Sequence, residues 1–356
     1  MTKPRALVLL DARAPELESC SYCPKLCRAA CPVADSEASD TVTPWSIMSQ
    51  SLEVARGRLP ADAETAELSW ACSGCRACTG RCDLNNPVAE TLFDARAEFL
   101  RQGLEPLPVR AWLSRHAERR QRTRARVTEL SVTLPTSANA STVLVLGCSY
   151  LQRLPQETED AVRACLALFG DVRLASGCCG LARRTAGDAA GADAEAAELR
   201  QELRSAQRVI AVDAGCAHAL RDVAQPFARA AAAALRQRAP SAPLTSPPLR
   251  YHDPCWLGRG LGEYQAPREI LTRALGKAPL EFARSENEAR CVGGGAHLPI
   301  TRKDTARDLA RRRQQEHEQL GGGRIVSACG NSVRSLRQTG ADVVDLVTIV
   351  RQMIEK

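Results

Sequence analysis

The order of apolar and polar positions divides the chain into a helical stretch and a later stretch where short apolar runs alternate with helical segments. Between Pro44 and Arg56, the residues Trp45, Met48, Leu52 and Ala55 recur at roughly the 3.6-residue period of a helix. Residues 88–102 (VAETLFDARAEFLRQ) predict a second helix, closed by Gly103. Beyond Thr142 the pattern changes. Short β-branched or apolar runs over 142–147, 171–175 and 208–213 predict strands, and 156–168, 192–205 and 217–237 predict helices. A Pro/Ser-rich linker over 239–248 follows, and the alternation starts again. Strands are predicted over 249–253, 279–283 and 324–328, with helices over 267–275, 301–320 and 341–355. Such alternation predicts a parallel α/β sheet. The fold class expected is α+β: a small helical domain over 17–105, a basic connector over 106–141, and two α/β halves over 142–238 and 249–356.

A chain of 356 residues has room for two or three domains. Its formal net charge is +7, and seven arginines fall between Arg110 and Arg126. Aromatic residues make up only 4% and do not interleave with the basic ones, which speaks against nucleic-acid binding. The arginine run is read as a solvated helix face, or as a docking face for an acidic partner or anionic headgroups. The apolar run Ala6–Leu10 is too short and poorly flanked for a signal peptide, and no eighteen consecutive apolar residues occur. The expected location is cytoplasmic or peripheral on the inner face of a membrane. In that compartment the sixteen cysteines point to metal or redox chemistry rather than to disulfides.

Their spacing sharpens this. Cys72-x-x-Cys75-x-x-Cys78-x-x-x-Cys82 has a near twin in Cys20-x-x-Cys23-x-x-x-Cys27-x-x-x-Cys31-Pro32. Three closely spaced thiolates and a fourth beyond suit a four-iron cluster. In two-cluster ferredoxins the fourth cysteine of each run ligates the other cluster. The expected ligand sets are therefore Cys20, Cys23, Cys27 and Cys82, and Cys72, Cys75, Cys78 and Cys31. Zinc sites instead take two separated cysteine pairs.

The later cysteines repeat with the strands. Cys148 and Cys255 each follow the first strand of a half, and Cys178-Cys179 and Cys291 each sit in a Gly-rich turn. Cys216 and Cys329 each follow a later strand, 38 positions beyond Cys178 and Cys291 respectively. The two halves are thus expected to be a duplication, with the cysteines at the carboxyl ends of parallel strands converging on a crevice. Cys165, within a helical apolar pattern, is read as an ordinary buried residue.

Gly177-Cys178-Cys179-Gly180, Tyr251-His252-Asp253-Pro254-Cys255-Trp256-Leu257-Gly258-Arg259 and Cys291-Val292-Gly293-Gly294-Gly295 resemble the cysteine-rich CCG halves of the heterodisulfide reductase family. That family includes the iron–sulfur subunits of glycolate oxidase and anaerobic glycerol-3-phosphate dehydrogenase. The resemblance implies two 4Fe-4S clusters in the first domain and a further cluster, or a zinc, in the CCG region. It implies electron transfer, as a subunit that links a flavoprotein dehydrogenase to a quinone-linked or membrane-peripheral acceptor. Catalytic reduction of a heterodisulfide or thiol, or a metal-dependent redox sensor or scaffold, are the other readings. No GxGxxG follows a strand, so a partner is expected to supply the flavin. The chain departs from the family pattern. The first half lacks one of its five cysteines and keeps Cys148, Cys178, Cys179 and Cys216 as metal candidates. The second keeps Cys255, Cys291 and Cys329, with Val292 and Ser332 in cysteine positions. His252 is a candidate to complete that set, against a purely structural role beside a strand end.

Overall fold

The computed structural model describes residues 7–239 and 242–355, and the chain condenses into two units. Ala6 of the first apolar run, Pro240 and Ser241 of the linker, and Lys356 at the end of the second half lie outside the described residues.

One unit holds residues up to His116 together with Leu181–Asp193 and Arg290–Arg311. It is helical, with Ala14–Ser21, Pro32–Glu37, Pro44–Ala55, Ala63–Ser69, Val88–Arg101 and Leu107–Ser114. Local chemistry fixes the starts. Proline opens Pro32–Glu37 and Pro44–Ala55, where its missing N–H costs nothing. Thr43 Oγ1 accepts from the Ser46 N–H at 3.3 Å, and Asp62 and Thr65 form a reciprocal capping box. The predicted helix over 44–56 forms, but its buried stripe is Ile47, Met48, Ser51 and Leu52. Trp45 stands partly exposed with the Lys25 ammonium 3.8 Å from its ring centroid, a cation–π contact that suits the edge of a core. Leu17, Met48, Leu52, Trp70, Leu92 and Phe99 are fully or nearly fully buried and form the centre of this unit.

The other unit holds Ala117–Gly180, Ala194–Ala289 and the chain from Arg312 onward. Its strands are β1 Thr142–Val145, β2 Val172–Leu174, β3 Arg208–Ala211, β4 Gln225–Pro226, β5 Leu249–His252, β6 Leu280–Glu281, β7 Arg324–Ser327 and β8 Val343–Asp345. They form two four-stranded sheets, β2-β1-β3-β4 and β6-β5-β7-β8, parallel throughout. The duplicated parallel α/β architecture is therefore present, with one more strand per sheet than the pattern predicts. β4 interrupts the helix expected over 217–237, which becomes Ala214–Ala219 and Phe227–Arg236. β8 opens the segment 341–355, and its helix is Leu346–Ile354. Both additional strands are two or three residues long and abut a helix, so they carry no period of their own. β4 ends in Pro226, which can lie in a sheet only at an edge or a strand end. The helix expected over 301–320 forms as Lys303–Gln319, directly after a separate short helix, Leu298–Thr301.

The two sheets share a reciprocal helix contact. Pro155–Phe169 of the first half packs on Leu346–Ile354 of the second, and Gln265–Leu275 of the second packs on Phe227–Arg236 of the first. Each contact carries an ion pair of the same sense, with the acid on the earlier helix of one half and the arginine on the terminal helix of the other. These are Asp160–Arg351 at 2.8 Å and Glu269–Arg236 at 2.5 Å. A contact that exchanges like elements is the signature of two-fold symmetry, here within one chain.

The basic segment forms Leu107–Ser114 and His116–Thr133. Much of its charge is met within the unit to which each arginine belongs. Arg110 pairs with Glu105, Arg120 with Glu195, Arg124 with Glu198, and Arg126 with both Glu129 and Glu159. The segment is therefore an ion-paired surface rather than an open field of seven positive charges.

Candidate metal centres

In the helical unit the two cysteine runs cross. Burial and the neighbouring thiols of Cys23, Cys27 and Cys82 push the Cys20 thiol up to about 12. Burial also pushes Cys31 up to about 12, with Cys75 and Cys72 adding to the rise. Cys78 is raised well above the usual thiol value by burial and then by Cys72, Cys75 and Cys31, and more weakly by Cys27. Cys82 thus sits with the first run, Cys31 with the second, and Cys27 lies close enough to the second set to act on it. The Cys20, Cys31 and Cys78 thiols are costly to ionise alone in so apolar a place. Loading a centre must strip these protons, so assembly releases them. A cavity lined by Cys31, Cys72, Cys75, Cys78, Ile47 and Leu92 opens beside the second set. Four gathered thiols beside an apolar cavity fit an iron–sulfur cluster. Among the described residues, no three His, Cys, Asp or Glu side chains are gathered to hold one ion. A cluster, which spreads its sulfurs around several irons, asks for the looser arrangement.

The same turn recurs at four of the cysteines. The N–H two residues on donates back to the sulfur: Lys25 to Cys23 at 3.4 Å, Gly74 to Cys72 at 3.3 Å, Gly180 to Cys178 at 3.4 Å and Gly293 to Cys291 at 3.3 Å. In every case the donor residue has positive φ, from 62° to 75°. Such N–H···S bonds stabilise negative charge on sulfur and tune a cluster's potential. Asn86, buried between Glu16 and Cys20, adds a further donor, with its Nδ2 3.2 Å from Cys20 Sγ. Nothing in the local pattern marks it, because it reaches the site from sixty-six residues away.

In the first CCG half, β1 and β3 are the neighbours at which the strand order reverses, the place where open α/β sheets form a crevice. Cys148 follows β1 and Cys216 follows β3. The Cys216 thiol donates to Cys179 Sγ at 3.2 Å, and Cys178 hydrogen-bonds with Cys179. The Cys178 thiol is raised, first by that bond and then by burial. In Cys179 the same bond pulls the other way, but the bond from Cys216 and burial leave it well above the ordinary value. The bond with Cys179 favours the Cys216 thiolate, yet burial and the Asp213 carboxylate push this thiol up to about 12. Burial carries Cys148 up to about 12, and Cys178 and Asp213 act in the same direction. The four candidate cysteines of this half therefore lie together.

Asp213 is a site residue that the cysteine spacing does not point to. It is buried against this group, and its carboxylate accepts from Ser149 Oγ and from the N–H groups of Gly215 at 2.8 Å and Cys216 at 3.2 Å. Strand register shows what it replaces. Thr142 pairs with Arg208, and Leu249 pairs with Arg324. Matching the sheets places Asp213 opposite Cys329 and Cys216 opposite Ser332. Asp213 and Cys329 each stand at the N-cap position of the helix that follows, Asp213 with side-chain cap bonds and Cys329 without. The equal 38-position spacings thus join positions that are not structural equivalents, because the turns and helices between differ in length. Each half therefore carries one cysteine at these two matched positions, and not the same one. Aligning RVIAVD with RIVSAC by strand rather than by cysteine reveals this in the sequence.

The second half spreads its three cysteines over separate segments. Cys255 and Cys329 follow β5 and β7, whereas Cys291 belongs to the helical unit, where its thiol donates to Ser73 Oγ at 3.7 Å. Burial and the Asp213 carboxylate push Cys329 up to about 12. His252 does not join these cysteines. It is buried on β5, with Arg313 Nε 3.4 Å from its Nδ1 and Phe282 edge-on to its ring. Burial and the charges of Arg313 and Arg259 hold it well below the usual histidine value, so it is neutral structure. Cys165 is fully buried, as expected of a packing residue.

Residues 142–221 and 249–337 match the CCG cysteine-rich domain family, and residues 16–86 match the 4Fe-4S dicluster domain family. The chain is an iron–sulfur protein that joins one 4Fe-4S dicluster domain to two CCG domains. It is similar to a probable membrane-anchored ferredoxin of Chromohalobacter salexigens, 53% identical over 64 residues, 18% of this chain and 9% of that protein. It is also similar to one of the subunits of the dihydromethanophenazine:CoB–CoM heterodisulfide reductase of Methanosarcina barkeri. There the identity is 32% over 107 residues, 30% of this chain and 26% of that one. One of the subunits of the CoM/CoB fumarate reductase of Methanothermobacter marburgensis is 31% identical over 81 residues, 23% of this chain and 16% of that one. The matched stretches thus span at most about a quarter of these relatives. Among the described residues, no helix is long and apolar enough to cross a membrane.

Proposed function

We propose that the protein is the iron–sulfur electron-transfer subunit of a multi-subunit oxidoreductase, relaying electrons from a flavin-dependent dehydrogenase toward a quinone or another acceptor. The observation that carries this is the crossing of the two cysteine runs, which builds two adjacent thiol sets into one small unit. Cys20, Cys23, Cys27 and Cys82 would hold one cluster, and Cys72, Cys75, Cys78 and Cys31 the other. Each cluster supplies a one-electron carrier when bound. The chain's own part is to bury the sulfurs, aim N–H groups at them and hold the two sets side by side. Cys148, Cys178, Cys179 and Cys216 would hold a further centre. Being named as subunits, the reductase relatives support a partner in the assembly. The identification of that partner as a flavoprotein belongs to this proposal.

Catalytic heterodisulfide or thiol reduction is the second reading. It is favoured by the hydrogen-bonded row Cys178, Cys179, Cys216 beside a carboxylate. Anaerobic mixing with the cognate dehydrogenase separates the two. Reduction of both dicluster centres by that flavoprotein supports the relay. Turnover of a disulfide by the isolated chain with an artificial donor, without reduction by any flavoprotein, overturns it.

A further inference from the structure

We propose that Arg96 is the counter-charge of the cluster held by Cys31, Cys72, Cys75 and Cys78, and that it sets that cluster's reduction potential. This rests on the reading above that these four residues hold a four-iron cluster.

Arg96 lies on the helix Val88–Arg101 and is 0% exposed. Its guanidinium donates to the carbonyls of Ser69 at 3.0 and 2.8 Å, Cys72 at 2.6 Å, Thr185 at 2.6 Å and Ala296 at 3.1 Å. All four acceptors are neutral, and among the described residues no carboxylate pairs with it. Arg313, which is also almost wholly buried, does have a carboxylate, Glu316, at 2.8 Å. Carbonyl dipoles fix the orientation of a guanidinium but leave its charge uncompensated, and an uncompensated buried charge is among the costliest features a fold can hold. The site is nevertheless built around it. The rings of Phe93 and Trp70 lie 5.0 and 5.7 Å from the guanidinium carbon.

The bond from Arg96 to the Cys72 carbonyl, at 2.6 Å, holds the buried guanidinium against the backbone of one of the cluster's proposed ligands. A four-iron cluster with four thiolates is anionic, and reduction adds one more negative charge. A fixed cation beside it stabilises the reduced form more than the oxidised one, so it raises the potential. Without the cluster Arg96 has no counter-ion among the described residues. With it, the charge becomes an internal setting that makes this cluster the better electron acceptor.

The test is an EPR-monitored redox titration of the full cluster-loaded chain, with the signal of this set identified by Cys75→Ser. Arg96→Met should shift the reduced-to-oxidised ratio at fixed poise at least tenfold toward the oxidised form, about 59 mV for a one-electron couple. The Cys20, Cys23, Cys27, Cys82 signal should stay within threefold. Arg96→Lys keeps the charge but not the fork, and should stay within threefold at both signals. If Arg96→Met fails to assemble, Arg96→Gln is titrated in its place with the same expectation. An unchanged potential in the neutral variant, or an equal fall in Arg96→Lys, overturns the proposal and leaves Arg96 as a packing clamp. A wild-type chain that shows no pair of four-iron signals would overturn the underlying reading instead.

Discussion

Four sulfurs in this protein receive an N–H from a residue in the left-handed region, and three of those four donors are glycine. The exception, Lys25, places its ammonium over Trp45. Where a residue with a Cβ is left-handed and serves no sulfur, the conformation only costs stability. Ala38 ends the helix Pro32–Glu37 at φ 47°, a position that favours glycine. Ala38→Gly should raise stability by about 0.5–1 kcal/mol in chemical denaturation of the loaded protein. A second residue-scale prediction concerns Asp345, whose carboxylate accepts from Tyr150 Oη at 2.7 Å across the two CCG halves. Burial pushes this carboxyl up to about 7. An unfolded aspartate releases its proton near 3.9, so between about 4 and 7 the folded chain holds a proton that the unfolded chain lacks. Stability should therefore fall as pH rises through that window, by up to about 1.4 kcal/mol per pH unit from this group. Unfolding curves of Asp345→Asn at pH 5, 6 and 7 should lack that part of the slope. At this scale the cysteines are legible in the sequence, because thiolate spacing is chemistry written locally. Arg96, Asn86 and Asp213 are not, because what makes them notable is burial, and burial is decided by parts of the chain far from each.

Between elements, the duplication can be read from the alternation of strands and helices, but not its register. Cysteine spacing suggests one correspondence, and hydrogen-bonded strand pairs give another, three residues away. The fourth strand of each sheet is hidden for a related reason: a two- or three-residue strand shows no period of its own, and its identity depends on the neighbour it pairs with. The close approach of β1 and β3 makes a further prediction. At Gly147, φ is 90°, and an added Cβ would stand 2.5 Å from Asp213 Cβ and 3.3 Å from Cys216 Sγ. Gly147→Ala must therefore push the β3 end away and carry Cys216 with it. Iron analysis and EPR should show loss of the centre proposed for Cys148, Cys178, Cys179 and Cys216, with the two dicluster signals retained. Equal loss from all centres would mean that the substitution acts by general unfolding, and the site-specific reading of this crevice would fall.

Across the whole molecule the two units differ in what holds them up. The sheet-bearing unit has two hydrogen-bonded sheets and reciprocal helix pairs, each with buried apolar faces. The other unit is made of short helices, only two of which, Pro44–Ala55 and Val88–Arg101, exceed eight residues before His116 among the described residues. Helices so short are marginal unless packing or a cross-link fixes them. With the proposed ligand sets, the cross-link is eight thiols drawn to two centres, together with a buried cation that needs an anion. The helical unit also recruits Leu181–Asp193 and Arg290–Arg311 from within the CCG region, which no linear partition of the sequence shows. Folding of this unit should therefore be coupled to its clusters, while the sheets stand without them. Removing iron anaerobically with a chelator should abolish amide protection across Pro44–Ala55 and Val88–Arg101, and also across Leu181–Ala186, despite its distance in sequence. The strands around Val143, Ile210, Ile325 and Val326 should stay protected. Hydrogen exchange followed by mass spectrometry reads both sets of segments in one experiment. Uniform loss of protection in every segment would show that the clusters hold the whole chain together rather than one unit of it.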